Sequence, residues 1–215
     1  MLKYDEIEKN IHYTFKAKSL LKTALTHSSY ANETGAVSYE RLEFLGDSIL
    51  GFITAENLFR LFPDFSEGEL TKMRAALVCE ASLAKIFRRL NLSSCLRLGV
   101  GEEKNNGRTK ESIAADVFEA ILAAVYIDSD IGTAKAWLDQ IISPEKYEDF
   151  LERDWKSILY EKYPGAVIEY KVTDFGSDCA ERFFVCVFID GKQYGSGKGT
   201  NKKSAVQAAS KDALY

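Results

Sequence analysis

The chain reads as an all-α domain followed by a small α+β unit of order α-β-β-β-α. Three observations predict this. Apolar residues recur at helical spacing up to about residue 142, without strand alternation. After residue 150 the period changes, and Val167–Val172 and Arg182–Ile189 read as strands. Asp190-Gly191, directly after the second of these, is a strong hairpin turn.

Each element follows in order. Residues 3–30 read as two short helices around Phe15-Lys16-Ala17-Lys18, and the small, polar stretch 31–37 as a loop. Ser38 is the expected N-cap of the next helix, with Arg41 at the capping-box position. That helix runs to about Phe62, because Pro63 disfavours helical geometry in the residue before it. Leu42, Leu45, Ile49 and Phe52 are its expected core positions. Ser66, with Glu69 three residues on, starts a helical pattern that continues to about Asn91. Residues 99–108 read as a mobile loop, whose Gly-x-Gly lacks a nucleotide-binding context. Lys104, Arg108 and Lys110 suit either phosphate contact or plain solvation. Residues 112–126 form a strongly apolar helix, and another covers 131–142. Ser143-Pro144 through Asp149 marks a boundary. The second unit follows with a helix at 154–163, strands at 167–172, 182–189 and 192–198, and an Ala-rich helix opened by Asn201-Lys202-Lys203. The expected division is a helical domain at 1–146, a linker at 147–152 and the α+β domain at 153–215.

Composition narrows the function. With 215 residues, 46% apolar and 28% charged, the chain is an ordinary globular protein able to bury a core. No run approaches the roughly 18 apolar residues of a membrane span. Met1–Glu6 lacks a secretory apolar core. The four cysteines (Cys79, Cys95, Cys179, Cys186) lack metal-ligand spacing and read as reduced packing residues. A cytoplasmic, non-membrane protein is expected. The net charge of −4 argues against a generic basic nucleic-acid binder. That average is uneven. Residues 153–215 carry ten basic and eight acidic side chains, leaving eighteen and twenty-four for residues 1–152.

The acids are placed unusually. Glu40, Glu43 and Asp47 stand at i, i+3 and i+7 of one apolar helix, so they share a face. Asp116 and Glu119 are the only acids within the apolar stretch 112–126, again at i, i+3. Unpaired like charges inside apolar segments are costly, and a hard divalent cation would remove the cost. Spacing alone equally fits two amphipathic helices with solvent-facing acids. Ala114, Ala115, Ala120, Ala123 and Ala124 favour tight packing nearly all round the second helix. The two histidines, His12 and His27, read as structural and form no ExxH pair, which argues against a di-iron bundle.

The stretch Glu40-Arg41-Leu42-Glu43-Phe44-Leu45-Gly46-Asp47-Ser48 resembles the signature of bacterial ribonuclease III. The likeness extends to Leu25–Tyr30, to Glu67–Ala75 and to Asp116-Val117-Phe118-Glu119-Ala120. After residue 150 it is looser, and the α-β-β-β-α order resembles a double-stranded-RNA-binding domain. The resemblance implies Mg²⁺-dependent hydrolysis of double-stranded RNA, with Mn²⁺ as a substitute, leaving 5′-phosphate ends and short 3′ overhangs. Roles in rRNA and mRNA processing are the family expectation. By position it implies Glu43, Asp47, Asp116 and Glu119 as metal ligands, with Asp47 and Glu119 as the catalytic pair. Glu40 and Glu67 match two further active-site acids. A homodimer is implied, with Phe44 inserting into the partner; on physical grounds alone Phe44 reads more readily as core.

In the second domain, Glu161 falls on the RNA-facing side of the first helix by family position. Lys202 and Lys203 suit phosphate at a helix N-terminus. The chain departs from the family at Gly176-Ser177-Asp178-Cys179, where Gly-Pro-x-His is usual, at Tyr160 in place of Gln, and at Val206-Gln207 in place of a basic residue. Two rival readings stand beside this one: a non-catalytic duplex-RNA-binding protein of the same fold, and an acidic helical metal-dependent phosphohydrolase acting on nucleotides.

Overall fold

The computed structural model describes residues 4–142, 147, 155–176 and 181–215. The chain divides into two compact units, Met1–Leu151 and Glu152–Tyr215. Among the described residues the regular elements of the first are helices: α1 (Tyr4–Ile11), α2 (Lys18–Ala24), α3 (Ser28–Thr34), α4 (Glu40–Leu61), α5 (Glu67–Val78), α6 (Glu80–Arg89), α7 (Val100–Lys104), α8 (Glu111–Asp128) and α9 (Ile131–Ile141). No described helix is long and apolar enough to cross a membrane.

Helix α8 is the centre of this unit. Between Ile113 and Val125 every residue is buried except Asp116 and Glu119. Its alanines keep the helix thin, so α4 and α6 can pack closely against it. Leu42, Ile49, Leu50, Ile53 and Leu58 are the buried side of α4. Phe52, expected in the core, is 59% exposed. It belongs to a second apolar face that α4 turns outward.

Four local expectations are corrected. Residues 31–34 continue helix α3 instead of forming a loop, because His27 accepts from Ser29 N–H at its start and Gly35, at φ 71°, closes its end. The N-cap of α4 is Tyr39, not Ser38; the Ser38 hydroxyl donates instead to Glu40 Oε2 at 2.8 Å. The pattern running from Ser66 towards Asn91 is two helices. Cys79 is extended between them, and its carbonyl accepts from Ser82 and Leu83 N–H. The start at Ser66 is as expected, with a reciprocal capping box to Glu69. Residues 99–108 are α7 and a 3₁₀ turn, held by Arg108 donating to the Ser93 and Leu96 carbonyls at 2.8 and 3.0 Å. Arg108 also pairs with Glu103 and Lys110 with Glu102. Two of the three candidate phosphate cations there are thus engaged within the chain, and Lys104 is exposed.

Tyr147, assigned by composition to the linker, is buried in the helical core, and Asn57 Nδ2 donates to its hydroxyl at 3.2 Å. The rest of the expected boundary, 143–146 and 148–152, lies outside the described residues.

The second unit contains α10 (Trp155–Lys162), β1 (Ile168–Asp174), β2 (Phe183–Ile189), β3 (Lys192–Gly199) and α11 (Lys202–Asp212). The sheet is antiparallel in the order β1-β2-β3. Asp190 and Gly191 both have positive φ (49° and 79°), as a two-residue hairpin turn of this hand requires. Val185, Val187 and Ile189 face inward with Leu159, Ala205 and Ala209. Gly195, Gly197 and Gly199 share one face of β3, and a Cβ on any of them would overlap α11 or the residue that follows it. Glycine against alanine lets helix and strand lie nearly in backbone contact.

Candidate active site

Helices α4 and α8 cross at Gly46. A Cβ at that position would overlap the backbone carbonyl of Glu119. The absent side chain therefore sets how close the helices lie. Glu43 and Asp47 flank Gly46 on α4, the first a turn before it and the second directly after it. Glu119 stands on α8 at the contact itself, with Asp116 one turn earlier. The crossing carries the two acidic faces into one another's electric field.

The electrostatics record the meeting. Burial raises the Glu119 carboxyl first, and the charges of Asp47, Asp116 and Glu43 add to it, pushing it up to about 8. Glu43 is raised by burial, then by Asp116, Glu40 and Asp47. Asp116 is raised by burial and by Glu80, against a hydrogen bond from Tyr39 and the field of His27. Five acids expected from the sequence (Glu40, Glu43, Asp47, Asp116, Glu119) thus act on one another. Glu67 stands apart. It is exposed in the first turn of α5, accepts from the Thr71 hydroxyl at 2.9 Å, and lines a shallow cleft with Leu58, Phe59 and Phe65.

The donor chemistry fits a hard divalent cation. Several carboxylates come from two helices and are partly dehydrated, and among the described residues the groups acting on them include no lysine or arginine. Among the described residues no three acidic, histidine or cysteine side chains already close around a single point. Like charges at this separation repel, and a bound cation reverses the sign of that interaction.

Tyr39 belongs to this site although the residue pattern does not single it out. Its hydroxyl donates to Asp116 Oδ2 at 3.1 Å. The one available signal is its place next to Glu40. His27, read as structural, caps α3 and also lies edge-on to the Tyr39 ring. Phe44, on the solvent side of α4, is 79% exposed, so it is not core. In the second unit Glu161 is exposed on α10, and Lys202 and Lys203 are exposed at the start of α11, where Asn201 and Ser204 form a capping box. Asp174 and Arg182 make a bidentate pair at 2.8 Å that ties the ends of β1 and β2. Gly176 adjoins it, and Ser177, Asp178 and Cys179 lie outside the described residues.

Residues 17–145 match the ribonuclease-III-like family, and residues 155–215 match the double-stranded RNA binding motif. Ribonuclease 3 of Clostridium beijerinckii is 44% identical over 97% of this chain and 94% of its own length. Ribonuclease 3 of Aliarcobacter butzleri is 40% identical over all of this chain and 97% of its own. The chain belongs to the ribonuclease III family. Among solved structures, the nuclease domain of ribonuclease III from Campylobacter jejuni superimposes with a TM-score of 0.63. It shares 41% identity and covers 67% of this chain and 97% of that one. The match spans catalytic and RNA-binding parts together, so this family member is an endoribonuclease acting on double-stranded RNA. Ribonuclease III enzymes are generally metal-dependent nucleases.

Proposed function

We propose that the chain hydrolyses double-stranded RNA in a Mg²⁺-dependent reaction at the α4–α8 crossing, with Mn²⁺ able to substitute. Glu43, Asp47, Asp116 and Glu119 supply the ligand oxygens. When bound, the cation lowers the pKa of a coordinated water and offsets charge on the phosphoryl group. Asp47 and Glu119 are the catalytic pair. Burial and the neighbouring acids favour a proton on the metal-free Glu119 carboxyl, so cation binding there would displace it. The other acids surround the scissile phosphate with negative charge, so the site disfavours RNA until a cation is present. Glu40 orients RNA beside them. The products carry 5′-phosphate and 3′-hydroxyl ends with short 3′ overhangs.

The observation that carries this reading is the convergence of acids from two helices at a glycine crossing. Asp47→Asn and Glu119→Gln test it, since each removes ligand charge with little change in volume. Each should lower cleavage of a labelled duplex by at least about 10³-fold at ordinary Mg²⁺ while duplex binding stays within a few-fold. Near-normal turnover in either variant sinks the assignment. Binding without cutting in the unaltered protein would favour the non-catalytic rival.

The active form we propose is a homodimer built on the outward face of α4. Phe44, Phe52 and Phe59 are 79%, 59% and 72% exposed along it, an apolar stripe of the kind that marks an interface. A solved structure of the C. jejuni nuclease domain is described as flexible in a region involved in dimer formation. Glu67 shares a cleft with Phe59. Glu67, exposed at the start of α5, acts with Glu40 in engaging RNA. Glu161, Lys202 and Lys203 contact the duplex, the lysines by adding charge to a helix N-terminus. Processing of rRNA and mRNA precursors in the cytoplasm is the proposed setting.

A further inference from the structure

One buried polar contact of the site has no role in the chemistry above. Tyr39 is 3% exposed, and its hydroxyl reaches across 77 residues of sequence to Asp116 Oδ2. We propose that Tyr39 is a positioning residue for cation binding. It holds one carboxylate oxygen of Asp116 and so presents the other to the ion. This inference rests on the reading of Asp116 as a ligand.

Rigidity comes first. A carboxylate rotates easily about its last torsion, so one oxygen must be pinned if the other is to have a fixed direction. Tyr39 can do this because nothing about it is loose. Its N–H donates to the Thr26 carbonyl at 2.9 Å. Its carbonyl accepts from Leu42 and Glu43 N–H at 2.7 and 2.9 Å. The His27 ring lies edge-on at 5.7 Å, and His27 is itself fixed by hydrogen bonds to Ser29 and to the Arg97 carbonyl.

Charge points the same way. A lysine or arginine could also hold Asp116, but it would cancel the charge that attracts the cation. A phenol satisfies one oxygen and leaves the full negative charge in place.

Tyr39 also links the two helices. The residue that pins Asp116 on α8 begins α4 at the turn carrying Glu40 and Glu43. The position of one ligand is therefore set relative to the helix bearing two others. Partners of this kind behind metal ligands typically change metal affinity by about 10–100-fold.

The test uses the full chain, stripped of metal, with Mn²⁺ as the probe and free ion counted by electron paramagnetic resonance. Wild type, Tyr39→Phe and Asp116→Asn are titrated, and each is also melted without metal. Tyr39→Phe should melt within a few degrees of wild type yet bind Mn²⁺ about 10–100-fold more weakly. Its cleavage should need correspondingly more metal and recover towards wild type at saturation. Wild-type Mn²⁺ affinity in Tyr39→Phe, with weak binding in Asp116→Asn, overturns the proposal and leaves the acidic site standing. Wild-type affinity in Asp116→Asn removes the reading beneath it. If Tyr39→Phe melts too low to titrate at room temperature, the Mn²⁺-induced rise in its melting temperature replaces the titration. A rise equal to that of wild type overturns the proposal.

Discussion

At the residue scale, Glu119 sets stability against function. Its carboxyl is raised from an ordinary 4.5 to about 8 in the folded chain, so the folded state holds that proton more tightly than the unfolded state does. The associated stability is present below about pH 4.5 and is lost as pH climbs towards 8. Metal-free protein should therefore melt progressively lower between about pH 5 and pH 8. Glu119→Gln should remove this penalty and melt a few degrees higher at about pH 8, with a smaller difference at about pH 5. Solvent screening limits the gain to roughly 1–2 kcal/mol. Calorimetry of both proteins in chelator at the two pH values checks it, and equal melting at the higher pH contradicts it. These acids are legible in the sequence because their spacing is local: i, i+3 and i, i+7 define a helix face by themselves. Tyr39 is not, because its role depends on a contact 77 residues away. Phe44 is ambiguous there, because helical spacing cannot say which of two apolar faces turns inward.

At the scale of elements, long periodic segments are readable in the residues and their interruptions are not. The end of α4, the start of α5 and the hairpin at Asp190-Gly191 follow from Pro63, Ser66 with Glu69, and the turn dipeptide. The break at Cys79 leaves no mark in apolar periodicity, since α5 and α6 each keep their own. Helix α7 is masked by glycines, and Arg108 ties it through Glu103 to the Ser93 and Leu96 carbonyls, a tertiary device. The closest approach of elements depends on glycines that periodicity ignores. Gly46→Ala should force α4 off α8 and cost about 1–3 kcal/mol, with cleavage falling further than stability because the ligand sets part. Gly68→Ala, where a Cβ meets nothing, should leave the melt unchanged or raise it by up to about 1 kcal/mol. Matched melting and cleavage assays on the pair separate crowding from simple helix propensity. A harmless Gly46→Ala would mean that the crossing is not set by that contact.

At the scale of the whole molecule, the geometry of the duplex dominates. Its strands run in opposite directions, and one acidic crossing at the proposed site would meet one scissile phosphate in the correct orientation. A two-fold axis between chains would match the pseudo-two-fold of the RNA and give each strand its own site. A mixed dimer of wild type with Asp116→Asn should then bind normally and only nick. The two chains would carry different tags, and each RNA strand its own label. Cutting of both strands in one binding event would contradict independent sites. Loss of all cutting would show that the sites depend on each other. Phe44→Asp should shift the protein to monomer in sedimentation, because a charge would replace an exposed ring at the proposed seam.

The buried Tyr147 has a practical consequence for anyone cutting the chain. Asn57 on α4 divides its amide between Asp139 and the Tyr147 hydroxyl, so the Tyr147 side chain plugs the helical core beside the helix that bears the acids. A shortened nuclease ending at Ile142 would open a hole the size of a tyrosine and strand one amide hydrogen. It should lose roughly 3–5 kcal/mol relative to one that runs a few residues past Tyr147. Any protease used to separate the two halves would need to cut beyond that plug to release a fragment that still melts cooperatively.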